Sequence, residues 1–189
     1  MKTQAFFSTL LLLLLLSACS LFDRDRPVPE PQLPPLTNEG ANTFGCRIDG
    51  EVWVARSNHI LFPKISGSFG AKAFYVTGQQ YDSKDSIKES ISFRIEEISK
   101  PDTFYLGDWQ RDFPASNGGY TDFISGADYY TRGFGTGSYS GQVVITSMDT
   151  TPRAANRHIA GIFWFTASDT VRQKTIEITE GRFDFRLPQ

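Results

Sequence analysis

The sequence predicts an all-β domain, a single antiparallel β-sandwich with a lipocalin-like β-barrel as the alternative, set behind an export leader and a proline-rich tether. Three observations predict it. Apolar and polar residues alternate at period two through much of the chain from Thr43 to Leu187. No window of eleven or more residues carries a helical period, and Gly, Asn, Asp and Pro punctuate the chain at short intervals. A sandwich is preferred because it is the broader class for regularly spaced strands and turns.

The elements follow in chain order. Lys2 precedes a mostly apolar stretch from Ala5 to Leu16, twelve residues long, whereas a spanning helix needs about 20. A charged start, a short apolar run and the small residues Ser17 and Ala18 describe an export leader over residues 1–18. Residues 19–42 hold half of the ten prolines and almost no hydrophobic period. They read as a disordered tether that reaches on the order of 60 Å if fully extended.

The domain is expected over residues 43–187, with about eight to ten strands. "TFGCRIDGEVWVAR" contains two short runs joined by Asp49-Gly50, a two-residue hairpin signal. In "SISFRIEEI", Ile91, Phe93 and Ile95 alternate with polar residues. "GQVVITSM", "HIAGIFWFTA" and "TIEITEGRFDFRL" read as three later strands. In the last, the apolar phase moves from Ile176 and Ile178 to Phe183, Phe185 and Leu187. That shift predicts a β-bulge at Glu180-Gly181, with the glycine taking positive φ. "QQYDSKDSIKE" and "QRDFPASNGG" read as loops.

Charge and motifs narrow the chemistry. With 19 basic and 21 acidic residues scattered singly, there is no basic stripe for nucleic acid. Of two cysteines, Cys46 lies in a strand pattern and reads as a buried apolar side chain. His59 and His158 have no zinc-type spacing, and neither Asp82 with Asp85 nor Asp108 with Asp112 forms an EF-hand loop. No cofactor or metal is expected. "GFGTGSYSG" is followed by a strand, not the helix of a dinucleotide site. No G-x-S-x-G elbow marks a nucleophile, so no catalytic residue is assigned. Trp53 and Trp164 read as core. Trp109, Tyr129 and Tyr130 are the candidate binding residues, since one of two adjacent strand tyrosines must face outward.

Leu16-Ser17-Ala18-Cys19 resembles the lipobox of bacterial lipoproteins. The resemblance implies cleavage before Cys19 and a diacylglyceryl thioether on its sulfur. Asp85-Ser86-Ile87, Asp149-Thr150-Thr151 and Asp169-Thr170-Val171 resemble the O-glycosylation tripeptide of exported Bacteroidota proteins, making Ser86, Thr150 and Thr170 candidate acceptors. "NTFGCRIDGEVWVA", "GQVVITSMD", "IAGIFWF" and "ITEGRFDF" together resemble an uncharacterised family of small Bacteroidota lipoproteins. That likeness implies a Gram-negative envelope and transfers no catalytic residues. Ser20 after the cysteine implies outer-membrane sorting, with the periplasmic face or the cell surface left open. The expected function is a lipid-anchored, non-enzymatic β domain that binds a glycan or an envelope protein or serves structurally. An envelope polysaccharide hydrolase and a carrier of an apolar ligand are the alternatives.

Overall fold

The computed structural model describes residues 31–58, 61–107, 116–131 and 139–188. Among them lie eleven strands: β1 (Thr43–Ile48), β2 (Glu51–Val54), β3 (Ile65–Gly70), β4 (Ala73–Tyr81), β5 (Ile87–Ile95), β6 (Thr103–Leu106), β7 (Asn117–Asp122), β8 (Ala127–Thr131), β9 (Gly141–Asp149), β10 (His158–Asp169) and β11 (Lys174–Arg186). The fold is all-β, and every strand pairing is antiparallel. All strands join one sheet in the order β2-β1-β11-β10-β8-β7-β5-β4-β3, and β6 and β9 branch from β10. The branch arises because His158–Phe165 pair with β9 whereas Ala167 and Ser168 pair with β8. The sheet curls into a half-barrel, a geometry compatible with both expected architectures. Its two ends approach where Arg56, just past β2, makes a parallel bridge to Gln80 of β4.

Phenylalanine fills the interior. Phe44, Phe93, Phe163 and Phe183 are buried and pack ring on ring, with Phe44–Phe163 centroids 5.0 Å and Phe93–Phe183 centroids 5.1 Å apart. Asp49 and Gly50 have φ of 49° and 90°, the two positive values of a type I′ hairpin. Cys46 is buried and free, and burial pushes its thiol up.

Several sequence expectations are corrected, among them the loop reading of residues 79–89, whose two ends belong to β4 and β5. Trp164 is not core: strict alternation buries Phe163 and Phe165 and turns the indole between them outward. Asn117, Gly118 and Gly119, read as loop, form β7, because pairing with Arg94, Phe93 and Ser92 of β5 overrides their turn composition. The bulge is where expected: Phe163 pairs Gly181 while Phe165 pairs Ile178. Its positive φ, 50°, belongs to Glu180 and not to the glycine. Gly181 is needed for close approach, since a Cβ there would sit 2.5 Å from the Phe163 carbonyl oxygen.

Residues 31–42, read as the end of the tether, lie against the sheet. Asp184 of β11 is buried, and its carboxylate accepts the backbone N–H groups of Glu39, Gly40 and Ala41 at 3.0, 2.9 and 3.0 Å. Consecutive N–H groups converging on one anion form a nest, completed here by Gly40 at φ 75°. Further along this strap, the Pro34 carbonyl accepts Arg182 Nη1 at 3.2 Å. The strap thus doubles back beside β1 toward the β1–β2 turn, and Pro31 and Gln32 line a groove with Ile48, Glu51, Arg56, Gln80 and Lys88. That end of the half-barrel gathers the turns at residues 49–50, 82–86, 123–126 and 170–173. Arg172 Nη2 bonds the Ser125 carbonyl at 3.0 Å, and the Asp49 N–H bonds the Glu177 carbonyl at 2.9 Å. We call it the hairpin end.

Candidate functional site

Three exposed aromatic rings stand around one groove. β6, β9 and β10 lie side by side, with Tyr105 directly opposite Gln142 and Gln142 directly opposite Trp164. Residues in register across adjacent strands share a face, so these three form one row on the outer surface. Two interstrand spacings place the ends of the row about 10 Å apart at the backbone. Tyr139, just before β9, packs on Tyr105 with centroids 5.1 Å apart and planes tilted by 34°. Trp164 is 37%, Tyr105 54% and Tyr139 59% exposed. The groove they line, with Ser140, Gly141 and Gln142, measures about 390 Å³, and among the described residues no charged side chain lines it.

The arrangement offers flat apolar faces flanking an amide that both donates and accepts. Its chemistry suits a neutral ligand carrying hydroxyl groups and apolar C–H faces. The row is small beside the roughly 800 Å² per partner of a stable protein interface. Sequence reasoning looked for outward aromatics at Trp109, Tyr129 and Tyr130 and missed this row. The signal was present: between Phe163 and Phe165, period two demands that position 164 face the other way.

The other candidates are dispersed. Trp109, His59, Asp108 and Asp112 lie outside the described residues. Tyr129 is buried against Tyr120, with centroids 5.7 Å apart. Tyr130 is half-buried, and burial, helped by Asp128, raises its phenol. Ser86 and Thr170 are exposed at the hairpin end, whereas Thr150 is half-buried beyond β9 at the opposite end. Asp149 and Asp169 hold their turns by accepting the N–H groups of Thr151 and Val171 at 2.9 and 2.8 Å. These bonds contribute to holding both carboxyls below the usual range, the Arg172 side chain being the largest cause at Asp169.

Two polar clusters occur elsewhere. Glu89 accepts Trp53 Nε1 and the Tyr120 hydroxyl, both at 3.0 Å, tying β2 to β5 and β7 beside a second groove. Burial, then the Glu89 charge, pushes the Tyr120 phenol up, which keeps it a donor. The Glu89 carboxylate therefore serves as a brace. Ser147 Oγ lies 2.9 Å from His158 Nε2, and His158 Nδ1 lies 2.8 Å from the Asn156 carbonyl. Nδ1–H donates to that carbonyl, and Nε2 shares a hydrogen bond with the Ser147 hydroxyl. Neither residue lines either of the two grooves described.

A family model described as a domain of unknown function, DUF6252, matches residues 40–188. The chain belongs to that family. The match begins at Gly40, inside the Asp184 nest, so the family domain takes in the last residues of the strap. No curated protein and no solved structure matches the chain.

Proposed function

We propose that this DUF6252 protein is an envelope lipoprotein, held in the outer membrane through Cys19, whose domain binds a glycan without transforming it. The observation that carries the binding reading is the row Tyr105–Gln142–Trp164 with Tyr139 stacked at its end. Exposed rings on strands bind sugars by stacking on their C–H faces, while Gln142 is placed to hydrogen-bond hydroxyl groups between them. The lining, uncharged among the described residues, favours a neutral glycan over an acidic one. The lipobox supports the anchor, and the leader supports export.

Two measurements test this reading. Titration calorimetry of the protein against neutral envelope and plant polysaccharides should yield binding that Trp164→Ala and Tyr105→Ala each weaken about tenfold. Tyr75→Ala, a half-exposed ring on β4, should leave it unchanged. Binding that survives both shelf substitutions would sink the site. Metabolic labelling with an acyl probe should mark the wild type and not Cys19→Ala; an unlabelled wild type would remove the anchor.

A further inference from the structure

The hairpin end carries a second set of exposed apolar side chains that the glycan reading does not use. Phe123 and Ile124 cap the β7–β8 turn at 53% and 69% exposed, and Val171 caps the β10–β11 turn at 88%. The Arg172–Ser125 bond joins these two turns, so the three side chains crown neighbouring hairpins. Phe62 is also exposed and stacks on Tyr81 at the same end of β4, with centroids 5.8 Å apart. Turn tips ordinarily carry Gly, Asn, Asp or Ser. Here three turn positions carry large apolar groups in water.

What covers them follows from where the chain enters. The strap runs from the Asp184 nest past Arg182 toward the β1–β2 turn, and Pro31 and Gln32 line a groove that includes Ile48 and Glu51 beside that turn, so the described chain begins on the hairpin side of the nest. Only residues 20–30 separate Pro31 from Cys19, a reach of at most about 40 Å. An acyl chain at Cys19 therefore holds the domain within about 40 Å of the bilayer, near enough for exposed turn tips to touch it. We infer that Phe123, Ile124 and Val171 dock the domain onto the membrane surface, a second contact that fixes its orientation. The inference rests on the anchor at Cys19 and is independent of the aromatic shelf.

The charges around the tips indicate which lipid surface. Arg172, Lys174 and Lys88 lie there, but so do Asp122, Asp128 and Asp169. Asp169 pairs with Arg172 at 2.8 Å, and Asp122 is occupied by the Ile124 and Ser125 N–H groups at 2.9 and 3.2 Å. With the charges mixed, insertion is driven by apolar burial and not by attraction to anionic headgroups. A zwitterionic bilayer suffices, and docking should change little with salt.

The test uses the full lipidated protein in phosphatidylcholine vesicles, with a nitroxide at Ile124→Cys. A second protein carries it at Val171→Cys. A control carries it at Lys100→Cys, exposed at the opposite end, where the Ile98 N–H bonds the Lys72 carbonyl at 2.8 Å. Cys46 is buried and does not compete for label. The ratio of oxygen to nickel-chelate accessibility should be several-fold higher at 124 and 171 than at 100, at low and high salt alike. Equal ratios at all three, with the protein still floating with the vesicles, would overturn docking and leave the anchor standing. Failure to float would sink the anchor itself, and docking with it. Dipolar broadening at 124 would show that a second copy covers the tips. Glycans on Ser86 or Thr170 of the native protein, found by mass spectrometry, would also overturn docking.

Discussion

The aromatic shelf and the hairpin end both leave large apolar side chains in water, yet the chain supports them in opposite ways. Tyr105, Gln142 and Trp164 sit within strands, and the residues flanking the indole, Phe163 and Phe165, are buried in the core. Phe123, Ile124 and Val171 sit on turns held mainly by carboxylates, Asp122 for one hairpin and Asp169 for the other. Side chains on strands keep their geometry within a narrow range, whereas loops do not. A ligand with fixed stereochemistry needs the first kind of support. A deformable bilayer tolerates the second.

The largest effect should come from disturbing the packing under the shelf. A Cβ at Gly141 would collide with the Trp164 carbonyl oxygen and the Phe165 side chain, both backed by the core. Gly141→Ala should cost about 1–3 kcal/mol in denaturant titrations and should abolish glycan binding. The matching change at the tips, Ser125→Ala, removes an exposed hydroxyl bonded to Asp122 at 2.6 Å and should shift stability by less than about 0.5 kcal/mol. Similar losses from both substitutions would erase the distinction between rigid shelf and tolerant tip.

Next comes the strap that carries the described chain to the hairpin side of the nest. Burial raises the Asp184 carboxyl, but the N–H donors of Ala41, Glu39 and Gly40 help to outweigh it and hold it below the usual range. A carboxyl lowered in the folded state stabilises it fully above its unfolded value of about 4, and that stability is lost as pH falls through the folded value. Protection from amide exchange at residues 39–41, taken relative to the intrinsic rate at each pH, should therefore fall only in that acid window. Asp184→Asn should cost about 1–3 kcal/mol at neutral pH and should flatten the acid response. An unchanged acid profile in Asp184→Asn would mean that another group fastens the strap.

Much of this was legible in the sequence because it depends on neighbouring residues. Asp49-Gly50 has the chemistry of its turn, and the phase slip between Ile178 and Phe183 locates the bulge. What was not legible depends on contacts across long stretches of chain. The Asp184 nest joins residues 144 apart, so composition alone read residues 31–42 as free tether. Trp164 was misassigned for a different reason. Hydrophobicity outweighed phase in a strand where every neighbouring position is apolar or small, although phase alone was correct. The row itself, and the gathering of four turns at one end, follow from strand order, which periodicity does not encode.

A small effect is expected at the bulge, which sharpens the comparison most finely. The register passes from Phe163↔Gly181 to Phe165↔Ile178, so the extra residue of β11 lies opposite Trp164. Glu180 takes φ 50° there, a conformation that costs a non-glycine residue roughly 1 kcal/mol. Its carboxylate meets Arg47 Nε at 2.9 Å with both side chains partly exposed, a pair worth about 0–1 kcal/mol. Glu180→Gly relieves the backbone, loses the pair and frees the unfolded chain, three terms of similar size and mixed sign. Stability should stay within about 1 kcal/mol of wild type, with glycan affinity unchanged, because the bulge is shaped by the packing of Gly181 on Phe163 and not by the residue that carries the positive φ. If Glu180→Gly instead weakens binding as Trp164→Ala does, the ion pair outside the shelf, and not the core beneath it, holds the indole in place.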